Sequence, residues 1–357
     1  MNIVIRVDAS IHIGSGHVMR CLVLANSLRD QGHEIYFASR PQKGDLIEFV
    51  RNKGFIVKEL IAPKIWLEPL SSSDYAAWLQ VSWQDDVQDL FDKIENIDMV
   101  IVDHYGLNEE WESKVRTHYT CRLVVIDDLV RTHQADIIID QTLLRNISDY
   151  QLKNPLSTIL AGCDFALLKP LFSSYRNEVM KQRKELADPI QVLVTMGGID
   201  NPNATLKILE VLFSEKNELD LNITVLLSPK APHYDEVSKL CLKHINKIKH
   251  IDFVDNMAEL MSNSCIAIGA PGSTSWERAC LGIPSIIVPI AENQRDIANN
   301  LELAEAAIKV ELSEIEDNLV SAIKELVVSW KTYHNTNLEL CDGLGSERVL
   351  QYIQELL

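Results

Sequence analysis

Short apolar runs alternate with stretches of helical period along most of the chain. The first half carries "IVIRV", "EIYFAS", "DMVIVDH", "RLVVIDD" and "DIIIDQ"; the second carries "QVLVTMGG", "NITVLLSP", "KHIDFV", "CIAIGAPG" and "SIIVPI". Brief β-rich runs alternating with helical patterns predict βα units on mainly parallel sheets. After the first run, Val18, Cys21, Leu22, Ala25 and Leu28 repeat at helical steps and predict one apolar helix face, with Gly32 as its stop. Between the two sets lies "SYRNEVMKQRKELADP", polar, charged and closed by Pro189, which reads as a linker or a solvated helix. The expected organisation is two α/β domains, residues 1–170 and 190–345, joined by a linker over 171–189. The tail from 346 to 357, "SERVLQYIQELL", is an amphipathic helix that caps the second domain or crosses back to the first.

Composition narrows the partners. The chain has 357 residues, 46% hydrophobic and 24% charged, with a net charge of −17. Two domains with real cores fit that length. The acidic balance argues against nucleic acid and against docking on anionic lipid. Seven cysteines, with no C-x-x-C pair, fit reduced thiols in a reducing compartment, so a cytoplasmic location is expected. "MNIVIRVD" is too short in apolar length for a signal peptide, and no apolar stretch approaches a membrane span. A monomer with a small-molecule ligand is expected.

Candidate chemistry collects where strands end. In open parallel sheets, ligands bind outside the carboxyl ends of the strands. Four runs there deliver Asp8 and Ser10, then Asp103, His104 and Tyr105, then Asp127 and Asp128, then Asp140 and Gln141. Helix capping explains any one of them; their coincidence favours a site. His17 sits on the first turn of the predicted helix, past Gly14 and Gly16. A partly exposed histidine there exchanges protons near neutral pH, or simply caps the helix. Farther on, a strand ends in Gly197–Gly198. Another ends at Gly269, followed by Gly272, Ser273, Thr274 and a helix carrying Glu277. Glycine and hydroxyl side chains at a helix start suit phosphate. Glu277, one turn in, suits the hydroxyls of a ribose, or favours the helix dipole. No G-x-x-x-x-G-K-[ST] loop is present, and Met19 takes the last glycine place of a G-x-G-x-x-G pattern. Asp127 and Asp128, adjacent on one strand, point to opposite faces. Neither a metal nor a cofactor is expected.

The motifs "DASIHIGSGHVMRCLVLA", "VVIDDL", "AGCDFALLKPLF", "TMGGIDNPNAT", "GSTSWERACLGIPSI" and "ENQ" together resemble the nucleotide-sugar hydrolases of pseudaminic acid biosynthesis. The resemblance runs from Arg6 to about Arg295. That family is similar to GT-B glycosyltransferases, especially the UDP-N-acetylglucosamine transferase that makes lipid II. The resemblance implies a GT-B-like fold, two Rossmann-like domains facing across a cleft. It implies His17 as catalytic base, Glu277 on the ribose, Gly272, Ser273 and Thr274 on the diphosphate, and Asn293 and Gln294 on sugar or phosphates. Phe253 and Val254 would offer backbone groups to uracil. Arg6, Asp8, Gly14, Gly16, Tyr105, Asp128, Lys169 and Gly197 complete the expected substrate contacts. Two positions depart from the family pattern: Lys169 stands where arginine is expected, and Pro271 where glycine is expected. The implied reaction is hydrolysis of a UDP-linked 2,4-diacetamido-2,4,6-trideoxyhexose to UDP and free sugar, with inversion. A GT-B glycosyltransferase and a non-catalytic nucleotide-sugar binding protein are the alternatives. A transferase with a lipid acceptor should show a docking patch on its first domain. "KIWLEPL", residues 64–70, is the candidate, read here as loop packing.

Overall fold

The computed structural model describes residues 1–71, 73–183, 185–214 and 218–356. They form two units: residues 1–167 with the C-terminal helix that begins at Gly345, and Leu168–Leu344.

The first unit holds a seven-stranded parallel sheet: β1 (Asn2–Val7), β2 (Glu34–Ser39), β3 (Ile56–Glu59), β4 (Met99–Asp103), β5 (Arg122–Ile126), β6 (Ile137–Asp140) and β7 (Thr158–Ala161). The spatial order is β3-β2-β1-β4-β5-β6-β7. Ile3, Ile5 and Val7 turn to one face and pack on Val18, Cys21, Leu22, Ala25 and Leu28 of the helix Gly16–Asp30. Val349, Leu350 and Ile353 of the C-terminal helix Gly345–Leu356 join the same core. Val4, Val100 and Val102 face the other layer, around the buried Trp111. Burial on both faces explains why these strands read as near-continuous apolar runs.

The second unit holds a six-stranded parallel sheet: β8 (Ile190–Thr195), β9 (Leu221–Leu226), β10 (Ile248–Ile251), β11 (Ile266–Gly269), β12 (Ser285–Ile287) and β13 (Ala307–Lys309), in the order β10-β9-β8-β11-β12-β13. In each sheet the strand order reverses once, between β1 and β4 and between β8 and β11. Those are the topological switch points, where side chains and loops leave the sheet in diverging directions and a ligand can enter.

Two expectations change. The polar stretch expected as a linker contains the helix Pro170–Gln182, which belongs to the second unit. Its Phe172 and Val179 are buried. Its Arg176 donates to the carbonyls of Cys280 (2.9 Å) and Leu338 (2.6 Å). Charge along this helix therefore binds backbone oxygens instead of only facing water. The second change concerns residues 64–70, which pack only in part: Trp66 stacks on His12 and the Leu67 backbone bonds the Gln80 side chain, but Ile65 is 76% exposed and Leu70 is 95% exposed. Among the described residues, no helix is long and apolar enough to cross a membrane.

Candidate active site

The β1–β4 switch point is built from a tight turn. Ser10 Oγ accepts from the N–H groups of His12 and Ile13, both at 3.2 Å, and its carbonyl accepts from Gly14 N–H at 2.8 Å. Gly14, at φ +77°, adopts the left-handed conformation that closes this turn. Gly16 then opens the helix, and His17 falls on its first turn. Asp103, the last residue of β4, pairs with Val7 across the ladder and so lies beside this helix start. His17 Nδ1 is 2.6 Å from Asp103 Oδ1. A carboxylate only accepts, so Nδ1 carries the hydrogen that meets Asp103, and in the neutral ring the lone pair is on Nε2; Arg20 Nη2 also lies 3.2 Å from Nδ1. Arg20, one turn on, donates from Nε to Asp103 Oδ2 and from Nη2 to Oδ1, both at 2.6 Å. Burial alone would raise the Asp103 carboxyl; Arg20 and then His17 reverse this and hold it far below the usual range.

The imidazole is less open than expected: its side chain is 10% exposed. The cause is the bond to Asp103 together with a wall of aromatic rings. Tyr105 meets it edge-on at 4.7 Å and Trp78 at 6.4 Å. Tyr105 is buried, and burial followed by the Asp128 charge pushes its phenol well above the usual value, so it stays neutral. Asp128 keeps 21% of its side chain exposed and stands 4.0 Å from Arg20 Nη1.

The other strand-end acids have inward partners. Asp127 takes Arg131 at 2.7 Å, and Asp140 takes Arg145 at 2.6 Å. Arg6 and Asp8, expected on substrate, form part of a buried ionic cluster. Arg6 donates to Asp8, to Asp86 and to the Ala38 carbonyl, which uses all five of its N–H groups. Asp8 also accepts from the Arg40 N–H at 2.7 Å and lies 3.3 Å from His104 Nε2. Burial would raise its carboxyl, but Arg6 and His104 hold it low. These two residues fix the end of β1 and have no donor or open oxygen to turn toward a ligand. Of the four strand-end acids paired above and Asp128, only Asp128 faces solvent.

In the second unit, the chain leaves β11 at Gly269 and starts the helix Ser273–Cys280. Gly272 N–H donates to Ser275 Oγ at 3.2 Å, and Ser275 N–H donates to the Gly272 carbonyl at 2.9 Å. The first-turn N–H groups of Ser273 and Thr274 have no partner within the helix and carry its positive end. Gly272 has an extended backbone with open space where a Cβ would be. Its service is to keep a side chain out of that space. Glu277 is half-buried, and burial pushes its carboxyl up to about 7, with Lys169 and Arg278 pulling the other way. Lys169 thus belongs to the second unit, beside Glu277, ahead of the helix Pro170–Gln182.

Gly197, exposed and at φ +88°, follows β8, the neighbour of β11. Phe253 and Val254 follow β10 at the sheet edge; Phe253 is 61% exposed. Gln294, after β12, accepts the Ile290 N–H at 2.9 Å through its own Oε1. The side chain of Asn293 lies outside the described residues. Two groups escaped the sequence reading. Arg20 was legible as a cation one turn after His17, whereas the place of Trp78 in the aromatic wall had no local signal.

Residues 177–340 match the glycosyltransferase family 28 C-terminal domain. An uncharacterized protein of Methanocaldococcus jannaschii is 30% identical over 307 residues, which cover 83% of this chain and 57% of that protein. The chain therefore spans little more than half the length of that relative. A UDP-2,4-diacetamido-2,4,6-trideoxy-β-L-altropyranose hydrolase of Campylobacter jejuni is 26% identical over 265 residues, 74% of this chain and 82% of its own. The crystal structure of MurG from Acinetobacter baumannii aligns over 99% of both chains, with TM-score 0.66 and 14% identity. The two parallel-sheet units are those of the GT-B fold.

Proposed function

We propose that this chain hydrolyses a UDP-linked 2,4-diacetamido-2,4,6-trideoxyhexose, releasing UDP and the free sugar with inversion at the anomeric carbon. The observation that carries this reading is the His17–Asp103–Arg20 cluster. A buried carboxylate, held ionised by Arg20, fixes one imidazole tautomer and leaves Nε2 as the basic nitrogen. The second unit holds the nucleotide: Gly272, Ser273 and Thr274 take the diphosphate and Glu277 the ribose. Gly197, Lys169, Phe253, Val254, Asn293 and Gln294 stand as further nucleotide or sugar contacts. In the first unit Gly14 and Gly16 shape the approach to His17, Tyr105 walls it, and Asp128 offers an open carboxylate to the sugar.

His17 takes a proton from water as the oxygen attacks C1, and the C1–O bond to UDP breaks on the opposite face. The electron pair leaves on the diphosphate, a weak base that needs charge stabilisation more than a proton. First-turn N–H groups at a helix start supply that stabilisation. One side-chain base then suffices, where glycosidases require two carboxyl groups. The name of the Campylobacter relative supports this choice of substrate.

A transferase reading has its own support in the family 28 match and in the exposed Ile65, Leu67 and Leu70, an apolar strip suited to a lipid acceptor. One experiment separates them. The hydrolase releases UDP from the UDP-sugar at full rate with no acceptor present, and His17→Asn stops this while UDP binding persists. UDP release that waits for an added acceptor, or that survives His17→Asn, rejects the hydrolase reading.

A further inference from the structure

Beneath the Gly272 turn lies a cation that makes no direct ion pair among the described residues, with Glu277 acting on it through charge alone. Arg278 is 1% exposed. Its Nη2 donates to the Ala270 carbonyl and to Ser275 Oγ, both at 3.1 Å. Its Nε and Nη1 are buried and make no hydrogen bond among the described residues. The guanidinium lies across the ends of β8 and β11. A Cβ on Gly269 would stand 2.5 Å from Nη1 and 2.5 Å from the Thr195 carbonyl, so the end of β11 has room for Arg278 only as glycine. Burial draws the guanidinium down to about 10, opposed by Glu277. An unpaired buried charge with idle donors destabilises a fold, and an apolar side chain of similar volume would avoid that. The same residue shapes the loop. Ser275 Oγ receives Arg278 from below and the Gly272 N–H from above, so the guanidinium fixes the turn that carries Ser273 and Thr274.

We propose that Arg278 is a positioning residue for the diphosphate: its unpaired charge and its grip on Ala270 and Ser275 preset the Gly272–Thr274 turn for an anion. This rests on reading that turn as the diphosphate seat. The bound anion adds to the countercharge that Glu277, its carboxyl pushed up to about 7 by burial, supplies only in part, so the strain of burying Arg278 is relieved on binding. Arg278 does not touch the ligand; it acts through the turn and through its field.

Calorimetry on the full chain with UDP, uridine, ADP and inorganic pyrophosphate tests this. Arg278→Met should weaken UDP about tenfold, the scale on which a charge acts on an anion without contact in a partly buried setting. Measured at about pH 9, where Glu277 is ionised with or without Arg278 beside it, it should weaken uridine less than about twofold, since uridine carries no charge for the field to act on. The unliganded melting temperature should stay level or rise, because a buried unpaired charge has been replaced by an apolar chain. Arg278→Lys keeps the charge without the fork and should fall between. Should the Met variant fail to fold, the ratio of UDP to uridine affinity in Arg278→Lys and Ser275→Ala decides, and an unchanged ratio overturns the proposal. Equal losses for UDP and uridine with a lower melting temperature would mark Arg278 as structural only. If wild type binds ADP or pyrophosphate through Arg278 but not UDP, the uridine reading fails and this one stands. If it binds none of the anions, both fall.

Discussion

Asp103→Asn tests the hydrogen bond on which the proposed base depends. In the wild type, Arg20 anchors both oxygens of Asp103, and Oδ1 also accepts from His17 Nδ1 at 2.6 Å. Asparagine has one oxygen. Nη2 of Arg20 and Nδ1 of His17 share the Oδ1 place, and Nε of Arg20 takes the Oδ2 place, so either orientation of the amide turns its N–H groups on a donor. With the nitrogen at the Oδ1 place it donates to Nδ1, which moves the imidazole hydrogen to Nε2 and removes the lone pair needed for water; in both orientations the negative charge that stabilises the imidazolium formed as His17 takes the proton is gone. The loss is that of general base catalysis, about 10²–10⁴ in kcat. At about 1.36 kcal/mol per tenfold, this is roughly 3–5 kcal/mol of barrier. The assay is UDP release under saturating UDP-sugar, beside UDP affinity by calorimetry and the melting temperature. The expected result is a kcat lowered by at least about a hundredfold, with UDP affinity within about twofold and a folded protein. The double variant Asp103→Asn with His17→Asn should be no slower than either alone, as for groups acting as one unit. A kcat within a few-fold of wild type would refute the tautomer argument, and so would losses that multiply in the double variant.

Glu277 makes UDP binding pH-dependent. Its carboxyl sits at about 7 and accepts two ribose hydroxyls only when ionised, so UDP affinity should strengthen as pH rises through about 7. Glu277→Gln should bind more weakly with a flat profile; an unchanged slope by calorimetry would remove the ribose assignment. The same raised carboxyl means the folded chain holds a proton that the unfolded chain has released between 4.5 and about 7. Its contribution to stability therefore falls as pH rises through that window, and Glu277→Gln should remove the effect from the melting curves. His133 behaves in the same sense over a more alkaline window. Burial would lower its imidazole, but Asp127 at 3.4 Å and Glu112 at 2.7 Å raise it to about 9. Its stabilisation, about 3 kcal/mol, is complete below pH 6.5 and lost as pH rises through about 9. His133→Gln should flatten the alkaline fall in melting temperature, and an identical fall in both proteins would count against the ion pair.

The architecture was legible where burial is two-sided. β1, β4, β5, β8 and β11 read as apolar runs because helices cover both faces of the sheets. The strands missing from the sequence reading are β3, β7 and β13, all at sheet edges and all short, with half-exposed residues that dilute the pattern. The helix Pro170–Gln182 read as a linker or a solvated helix because its Arg176 binds carbonyls distant in sequence, which no local pattern encodes. In the candidate site, His17, Glu277 and the Gly272 turn were legible from glycine spacing and helix starts. Arg6 and Asp8 were misread as ligands because a polar pair at a strand end looks alike whether it faces a substrate or Asp86 and Arg40. Only the contacts of the helix Trp83–Lys93 distinguish the two cases.

The central claim is that water, activated at Nε2 of His17, attacks the anomeric carbon while UDP departs. Turnover of the UDP-sugar in ¹⁸O-water, followed by NMR from the first seconds and by mass spectrometry of the released UDP, tests it most directly. The account predicts unlabelled UDP and a free sugar that first appears with inverted anomeric configuration. Label on the β-phosphate of UDP, or a first-formed sugar of retained configuration, would contradict it.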